Sequence, residues 1–364
     1  MRNALWIAAL VLLVSTGLLA ADASTAPVER IAVTVMPEGI MDTTTELTAV
    51  VPADQRDKAE AAVKLAEEAL RDVEAKMSSH LAETDIAAFN AAPVGQEVPL
   101  LPETLAVLKS ARAYYDRTEG VFDITCRPLL QLWKRAGKAK RLPTDAEIKE
   151  ALALVGWDKI KLTDKGAIKL KDGASLDLGG IAKKWAVDRA ADVMIQQGVS
   201  GIVNVGGDLR CFGQPRIGTK WQIGIKNPFA KDEDLIAVMA ISDGAVCTSG
   251  NYERFVIIDG KRYSHIVDPR TGRTADAVPS VTVYGKTAVE AGVWATALSV
   301  LGPDYLKKLP KDTKIEAMII TGKATNYKFH YTDGFKKMLN EVPEEPLPPL
   351  TTTSAPAGEE LMIK

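Results

Sequence analysis

Helix-like and strand-like segments follow one another in irregular order along this chain, and that order constrains its fold more than any other feature. Segments with helical spacing of apolar residues are 55–76, 103–117, 182–197 and 288–301, and strand-like segments are 30–36, 201–205, 221–226, 236–241, 254–258 and 279–284. Neighbouring strands without an intervening helix, such as 221–226 and 236–241, predict a β-hairpin. A doubly wound parallel sheet requires strict alternation, so we predict an α+β fold.

The composition is that of an ordinary globular protein. The chain has 364 residues, 46% hydrophobic and 25% charged, which is enough for one large domain or two smaller ones. Its formal net charge is −2 and its aromatic content is 6%. Neither value favours the basic field or the stacking rings that nucleic-acid binding uses, so we expect no nucleic-acid partner.

The first residues have the pattern of a targeting segment. Arg2 precedes a mostly apolar run over residues 4–21, and Ala21-Asp22-Ala23 offers a small-x-small cleavage pattern. We therefore predict a signal peptide over residues 1–23 and export to the periplasm or to the inner membrane. An uncleaved anchor stays open, because the apolar run approaches the length that spans a bilayer. Membrane contact would then be made through this N-terminal segment.

Two polar stretches and three cysteines complete the outline. We interpret residues 137–147 as a polar connector, residues 24–341 as the folded domain and the Pro-rich residues 342–364 as a disordered tail. The cysteines lack CxxC spacing, so structural zinc is disfavoured and three buried thiols are the favoured interpretation. One disulfide plus a free thiol is the alternative. They are Cys126, Cys211 and Cys247.

Residues 175–183 form the densest candidate for chemistry. An apolar, strand-like segment leads into Gly179 and Gly180 and then into a predicted helix. The glycines would let a ligand approach the backbone, and free N–H groups at a helix start favour phosphate. Asp177 is acidic where a phosphate would lie, so it would orient the turn or contact a metal or a base. A tight turn without a ligand explains this segment equally well.

A second glycine pair, Gly206-Gly207, follows the strand-like segment 201–205 and precedes Asp208. Its spacing does not match the GxGxxG fingerprint of dinucleotide-binding folds. Taken alone, the segment is as consistent with a turn as with a ligand site.

A third region combines small hydroxyl residues beside a glycine with a histidine and an aspartate three residues apart. Hydroxyl groups beside glycine suit phosphate oxygens, and a histidine at a strand end could contact a diphosphate or move a proton. A turn capped by the histidine and the aspartate is the alternative. The chain has no GxSxG elbow, which disfavours a serine hydrolase. The residues are Thr248, Ser249, Gly250, His265, Asp268 and Thr271.

The predicted helix 288–301 carries the fourth candidate. Gly292 and Thr296 are four residues apart and share one face of that helix. A glycine inside a helix is unfavourable by roughly 0.5–1 kcal/mol relative to alanine, which suggests that something local needs the space. Close packing of another helix explains the glycine at least as well as a ligand does.

Together these segments resemble, in this order, the ApbE family of flavin transferases. The resemblance extends over about residues 77–302 and rests on several short motifs rather than on one. The motifs are Met77-Ser78-Ser79-His80 with Thr84-Asp85-Ile86 and Phe89-Asn90, Phe122-Asp123-Ile124-Thr125 with Pro128-Leu129 and Trp133, Asp177 to Lys183, Gly206-Gly207-Asp208, Thr248-Ser249-Gly250-x-Tyr252, and His265 to Gly272.

The resemblance implies one large domain of two intertwined subdomains, with mixed sheets and packed helices. It also implies bound FAD, and His265 as a catalytic residue. The implied FAD-binding residues are Met77, Ser78, Asp123, Asp177, Gly179, Gly180, Lys183, Gly206, Gly207, Asp208, Thr248, Ser249, Gly250, His265, Asp268 and Thr271.

The sequence departs from the family at the implied metal site. There an Asp and a Thr of the last helix and a backbone carbonyl hold the metal, but only Thr296 and the Ala182 carbonyl remain here, because Gly292 stands at the Asp position. Mg²⁺ is normally held through one or two carboxylates, so we expect a weakened site. Glu290, rotated about 200° around the helix, is a poor substitute. Lys184 replaces a usual Gly. Its ammonium could partly neutralise the charge of a diphosphate, but we favour its interpretation as a solvated side chain on the helix face.

The resemblance predicts an FAD:protein FMN transferase, an enzyme that moves FMN from FAD onto a Ser or Thr hydroxyl of an exported or membrane-bound acceptor protein and releases AMP with metal assistance. Two alternatives stay open at this point. One is an FAD-binding carrier that has lost transfer because Gly292 replaces the metal-ligand Asp. The other is an FAD pyrophosphatase, in which water is the acceptor and the products are FMN and AMP.

Overall fold

The computed structural model of the chain describes residues 29–79, 81–230 and 234–346. Helices and antiparallel strands are mixed in this part of the chain, which confirms the predicted α+β class. The helices are α1 (Arg56–Met77), α2 (Asp85–Ala91), α3 (Pro102–Arg117), α4 (Arg127–Ala139), α5 (Asp145–Leu152), α6 (Ala182–Gln196), α7 (Ala288–Leu301) and α8 (Asp333–Met338). The strands are β1 (Arg30–Val35), β2 (Thr45–Pro52), β3 (Glu97–Pro99), β4 (Ile160–Leu162), β5 (Gly166–Lys169), β6 (Ser200–Val205), β7 (Asp208–Phe212), β8 (Trp221–Lys226), β9 (Leu235–Ile241), β10 (Gly244–Gly250), β11 (Phe255–Ile258), β12 (Lys261–Ser264), β13 (Ser280–Gly285), β14 (Glu316–Thr321) and β15 (Lys328–Tyr331).

A single eight-stranded antiparallel sheet forms the centre of the molecule. Its strand order is β1-β2-β6-β7-β10-β13-β14-β15. Sequence neighbours β6 and β7 are joined by a tight hairpin, whereas β7 and β10 become neighbours although the β8–β9 hairpin separates them in sequence. The middle of the sheet therefore brings together segments that are distant in sequence. The glycine pair lies in the turn at the end of the central strands β6 and β7.

Helices α1, α6 and α7 cover one face of this sheet. The main core lies there because alternate residues of each strand point to that face, as Ala245 and Cys247 do on β10. The helix α7 is almost entirely buried, and Trp294 is its largest fully buried side chain. Helices α6 and α7 contact each other over this face, which places the candidate segments of both helices close together.

The β8–β9 hairpin and helix α8 cover the opposite face. Val246 of β10 points to this side and joins a second core that includes Trp221 and Phe335. A third, smaller core lies between α4 and α5, where Leu129, Trp133 and Ile148 pack together. The hairpin β11–β12 packs on α4, and the three-stranded sheet β3-β5-β4 completes the described fold.

The predicted helices and strands agree with the structure to within a few residues, and the 221–226/236–241 hairpin is confirmed. Two predictions need correction. The connector predicted over residues 137–147 is only residues 140–144, because α4 continues to Ala139 and α5 begins at Asp145 behind a Thr144–Glu147 capping box. Residues 175–178 are extended but pair with no strand of the described chain.

The ends of the chain lie mostly outside the described residues. The predicted signal peptide belongs to that part, as does the tail after residue 346, and residues 342–346 form neither helix nor strand. None of the described helices is long and apolar enough to cross a membrane. The three cysteines are free thiols, with Cys211 and Cys247 buried and Cys126 half-buried, so the disulfide alternative is not observed.

The carboxylate of Asp188 joins three elements of the main core. It lies on α6 and accepts hydrogen bonds from the backbone N–H groups of Ala288 (2.8 Å) and Val289 (2.9 Å) in the first turn of α7. Arg210 of β7 lies 3.2 Å from the same carboxylate. Asp188 therefore caps a neighbouring helix and ties it to the sheet at a half-buried position.

We expect Asp188→Ala to lower the free energy of unfolding by about 3 kcal/mol, because Arg210 and two N–H groups would lose their buried acceptor. Chemical denaturation followed by circular dichroism measures this loss. The matched control is Asp192→Ala. Asp192 lies 2.9 Å from the same Arg210, but its own side chain is 44% exposed. The control should lose less than about 1 kcal/mol. Equal losses in the two variants would contradict the capping role.

Candidate functional site

The second glycine pair forms the tight turn between β6 and β7. Gly206 and Gly207 have φ angles of 58° and 84°, the combination that a two-residue hairpin turn needs. The Gly207 N–H donates to Asn204 Oδ1 over 3.0 Å, and a Cβ at Gly206 would lie 2.3 Å from Thr43 Oγ1. The turn places Asp208 at the start of β7, where its side chain is 4% exposed.

Asp208 forms a buried ion cluster with the first turn of α6. The Lys183 ammonium lies 2.8 Å from Asp208 Oδ2, and the Lys184 ammonium lies 3.5 Å from the same oxygen. Lys184 is only 8% exposed, so its interpretation as a solvated side chain was wrong. Two ammonium groups thus share one carboxylate at the start of this helix.

The cluster perturbs the acidity of its members. Burial acts to raise the pKa of Asp208, but the charges of Lys184 and Lys183 outweigh burial and hold that pKa below its ordinary value. For Lys183, burial acts to lower the pKa, whereas the charge of Asp208 raises it above its ordinary value. Both groups are therefore charged at neutral pH, and Glu253 is a further acidic group whose charge acts on Lys183.

The side chain of Lys184 fills the space beside Gly292 of α7. A Cβ built at Gly292 would lie 2.5 Å from Lys184 Cγ and 2.6 Å from Lys184 Cε, closer than real Cβ atoms approach a neighbour. Position 292 must therefore be glycine while Lys184 occupies this place. The sequence left two explanations for a glycine inside this helix, close packing of another helix or a bound ligand. In the structure, a side chain of the neighbouring helix α6 packs against it.

Hydroxyl groups of α7 and β10 lie beside this contact. Thr296 Oγ1 donates to the Gly292 carbonyl over 3.0 Å, and Ser249 Oγ lies 3.5 Å from Thr296 Oγ1. Thr248 points to the opposite face of the sheet, where its hydroxyl lies 2.9 Å from that of Thr282. The structure therefore brings Ser249 to the α6–α7 contact and does not bring Thr248 there.

His265 directly follows β12, and the charges of Lys183 and Lys184 affect its pKa. Its Nδ1 lies 2.9 Å from the Arg254 carbonyl, which can only accept, so Nδ1 carries the proton and a neutral ring presents Nε2 as an acceptor. Desolvation is the largest cause that lowers the pKa of His265 below its ordinary value. The Arg254 hydrogen bond opposes this, and the charges of Arg254, Lys184 and Lys183 add to it. The imidazole is therefore neutral near pH 7.

The residues after His265 form a turn against α4. Asp268 accepts from the Arg270 backbone N–H (2.9 Å) and pairs with the Arg270 guanidinium (2.9 Å), which agrees with the interpretation of Asp268 as a capping residue. Trp133 Nε1 donates to the Gly272 carbonyl over 2.9 Å and fixes the end of the turn. Asp268 and Thr271 line a cavity of about 550 Å³ together with the C-terminal end of α7.

The segment before α6 is held from the other side. Asp177 Oδ1 accepts from the Gly179 N–H over 2.8 Å, so Asp177 orients this turn, as the sequence suggested. The side-chain amide of Asn90 bonds the Leu176 backbone twice, at 2.9 and 2.7 Å. Asp177 Oδ2 also accepts from Ser79 Oγ over 3.4 Å. These contacts set the direction in which the chain enters α6.

The remaining predicted residues surround this entry. Gly180 lies against Phe122, since a Cβ there would lie 3.1 Å from the ring. Asp123 is buried, which raises its pKa, and it accepts from the Thr125 N–H over 2.8 Å. Met77 is buried at the end of α1 and Ser78 is its C-cap, whereas His80 lies outside the described residues.

The residues at the implied metal position do not fit Mg²⁺. Gly292 supplies no carboxylate, and a lysine chain lies against it. Asp208 is paired with two ammonium groups, and Glu290 turns back to accept from the Lys286 N–H at 3.3 Å. No group of three or more His, Cys, Asp or Glu residues in the described ranges could hold a metal ion. The Thr296 hydroxyl and the Ala182 carbonyl alone lack the carboxylate that Mg²⁺ normally uses.

Sequence reasoning missed the role of Lys184, although a signal was present. Lys184 precedes Val187, Ala191 and Met194 by three, seven and ten residues, and these residues share the buried stripe of α6. A charged residue in line with an apolar stripe indicates a buried partner. Asp188 was also missed, and its partners on α7 are too distant in sequence to be found by spacing.

Comparisons with known proteins identify the family of this chain. The ApbE family matches residues 41–319 of the chain. The FAD:protein FMN transferase of Vibrio cholerae O395 is 33% identical over 278 residues, which is 75% of this chain and 83% of that protein. The FAD:protein FMN transferase of Escherichia coli K12 is 33% identical over 231 residues, 61% of this chain and 66% of that protein.

Solved structures share the fold. The crystal structure of the ApbE protein from Thermotoga maritima superposes with a TM-score of 0.76 and 30% identity, covering 85% of this chain and all (100%) of that one. The flavin transferase ApbE from Vibrio cholerae gives a TM-score of 0.73 and 29% identity, covering 86% and 100%. The resemblance predicted from the motifs is confirmed, and this chain belongs to the ApbE family.

Proposed function

We propose that this protein is an FAD:protein FMN transferase. The observation that carries the proposal is the hydrogen bond of His265 Nδ1 to the Arg254 carbonyl, which leaves Nε2 as an acceptor; the charges of Lys184 and Lys183 contribute to lowering the pKa of this imidazole. A base beside a positively charged cluster is what attack of a hydroxyl on a diphosphate requires. The names of the family relatives support the same activity.

In the proposed reaction, FAD binds with its diphosphate at the start of α6. The ammonium groups of Lys183 and Lys184 would bind the diphosphate oxygens, and the tight turn at Gly206-Gly207 would border them. The Asp177–Gly179 turn and the Asp268–Thr271 turn would contact the remainder of the FAD. These positioning roles are proposed for all the residues that the family resemblance implied, except that Thr248 points away.

Transfer itself is a displacement at phosphorus. The hydroxyl oxygen of an acceptor Ser or Thr forms a bond to the FMN-side phosphorus, and the bond from that phosphorus to the bridging oxygen breaks. The bridging oxygen and its electron pair leave with AMP. The hydroxyl proton passes to Nε2 of His265, which is neutral at pH 7 and has a free lone pair. No metal enters these steps.

We propose that the reaction takes place outside the cytoplasm. The N-terminal pattern of Arg2, an apolar run and Ala21-Asp22-Ala23 supports export to the periplasm or to the inner membrane. The acceptor would then be an exported or membrane-bound protein that carries a flavinylation Ser or Thr.

The carrier and pyrophosphatase alternatives predict different products from the transferase, so one assay of the reaction products separates the three.

We expect covalent flavin fluorescence on an acceptor domain after incubation of the protein with FAD, together with one AMP released for each flavin transferred. In-gel fluorescence and chromatography of nucleotides measure the two products. The control is the same acceptor with its Ser or Thr changed to Ala, which should remain dark. AMP released without an acceptor would establish a pyrophosphatase instead, and FAD binding without either product would establish a carrier.

We expect His265→Ala to slow transfer by roughly 100-fold or more while the Kd for FAD changes by less than about threefold, because a general base acts in the chemical step. The matched control is His330→Ala on β15, where the imidazole contacts Thr321 over 2.9 Å. The control should transfer at the wild-type rate. Equal losses of transfer and FAD binding in His265→Ala would mean that His265 only shapes the pocket.

The pH dependence of transfer should follow the same imidazole. Protonation removes the Nε2 lone pair, so the rate should fall as the pH falls through the pKa of His265, which lies below 6.5. Above that range the imidazole is neutral and the rate should level off. Single-turnover rates between about pH 5 and 8 measure this profile. If the transfer rate of His265→Ala fell with decreasing pH in the same way as that of the wild type, the titrating group would not be His265.

A further inference from the structure

Positions 184 and 292 of this chain form a matched pair. Lys184 is buried, and its aliphatic chain lies within 2.5–3.0 Å of where a Cβ of residue 292 would be. An aspartate at position 292 would collide with this lysine, and a glycine at position 184 would leave a gap beside Gly292. Lys184 therefore fits a glycine at position 292 but not the family aspartate. In the same way, Gly292 fits a lysine at position 184 better than the family glycine.

The ammonium of Lys184 lacks a full counter-charge in the described structure. Asp208 Oδ2 is closer to the Lys183 ammonium (2.8 Å) than to that of Lys184 (3.5 Å). Asp208 is shared between two ammonium groups. Glu253 interacts with both lysines through its charge but forms no ion pair with Lys184 in the described structure, and the side chain of Lys184 is 10% exposed to solvent. A buried lysine is rare unless it is paired, because removing its charge from water is costly. A bound anion would supply the missing charge.

We propose that Lys184 takes the place of the divalent metal, so that its ammonium binds the FAD diphosphate and Gly292 provides the space for its side chain. The inference rests on the proposed function in that FAD must bind at the start of α6. The protein would then need no divalent cation to hold its substrate. The residues that do not fit Mg²⁺ fit an ammonium ion instead.

The chemistry remains balanced without a metal. When the bond between the FMN-side phosphorus and the bridging oxygen breaks, the electron pair leaves with AMP and negative charge grows on that oxygen. The ammonium of Lys184 would stabilise this charge by a hydrogen bond, and the hydroxyl proton would still pass to His265. An ammonium carries one positive charge where Mg²⁺ carries two, so Lys184 would supply part of the charge that a metal would supply, because Lys183 is already paired with Asp208.

The first experiment measures the Kd for FAD by quenching of flavin fluorescence, once in excess MgCl₂ and once in excess EDTA. For the wild-type protein we expect the two values to agree within about twofold. A wild-type affinity that is roughly tenfold weaker in EDTA would overturn the proposal, because it would require a metal at the diphosphate.

The second experiment removes the charge. Lys184→Met keeps most of the side-chain volume, and we expect it to raise the Kd for FAD about tenfold or more while the Kd for riboflavin, which has no phosphate, stays unchanged. The matched control is Lys64→Met on the exposed surface of α1, which should bind FAD as the wild type does. Equal losses for FAD and riboflavin would assign Lys184 a merely structural role and contradict the proposal.

The third experiment restores the family residues. In the double variant Lys184→Gly/Gly292→Asp, FAD binding should become roughly tenfold tighter in MgCl₂ than in EDTA, whereas Gly292→Asp alone should gain no such dependence because Lys184 occupies the space. Each variant is compared with itself under two conditions, so a loss of stability cancels. A double variant without Mg²⁺ dependence would contradict the exchange of metal and ammonium.

The binding measurements are independent of transfer. If the wild-type protein flavinylates no acceptor but shows the expected FAD affinities, the proposed transfer fails and the role of Lys184 stands. If transfer occurs but needs Mg²⁺, the proposed function stands and the role of Lys184 fails.

Discussion

The contact between Asp188 and the first turn of α7 determines the geometry on which the rest of the site depends. Asp188 lies four residues after Lys184 on α6, and Ala288, which it caps, lies four residues before Gly292 on α7. One helical turn back from Asp188 on α6 and one turn forward from Ala288 on α7 therefore bring Lys184 beside Gly292. A displaced cap would shift this contact along both helices, and with it the ion cluster at Asp208.

The residues of the ion cluster are positioned by chain segments that adjoin them in sequence and are themselves fixed by turns and hydrogen bonds. Asp208 directly follows a two-glycine turn, and Lys183 directly follows the segment that Asp177 and Asn90 hold in place. The positive charge is thus concentrated at a helix N-terminus, where the backbone N–H groups also favour an anion. Lys184 adds a further positive charge, and its side chain is held in place because it is buried against Gly292.

Membership of the ApbE family and departure from its usual metal site are compatible. The fold agrees with solved members over most of the chain, and the sheet, the three covering helices and the turns around the site form that common framework. Lys184 and Gly292, the two residues that depart from the family motifs near the implied metal, face each other. The two residues fit each other in volume, and in our proposal the Lys184 ammonium would supply a cation where the family resemblance implies a metal.

The sequence by itself determined the α+β class, the family and the elements with a strong local pattern, such as the amphipathic α1 and the almost uniformly apolar α7, because hydrophobic patterns and short motifs are local properties. It did not reveal strands β10 and β14, whose neighbours in the sheet come from distant segments. It also identified both Gly292 and Lys184 as unusual but interpreted them separately, one as a lost ligand and the other as a solvated side chain. Only the tertiary structure decided that they touch, since the contact depends on how α6 and α7 pack and not on any spacing within either helix.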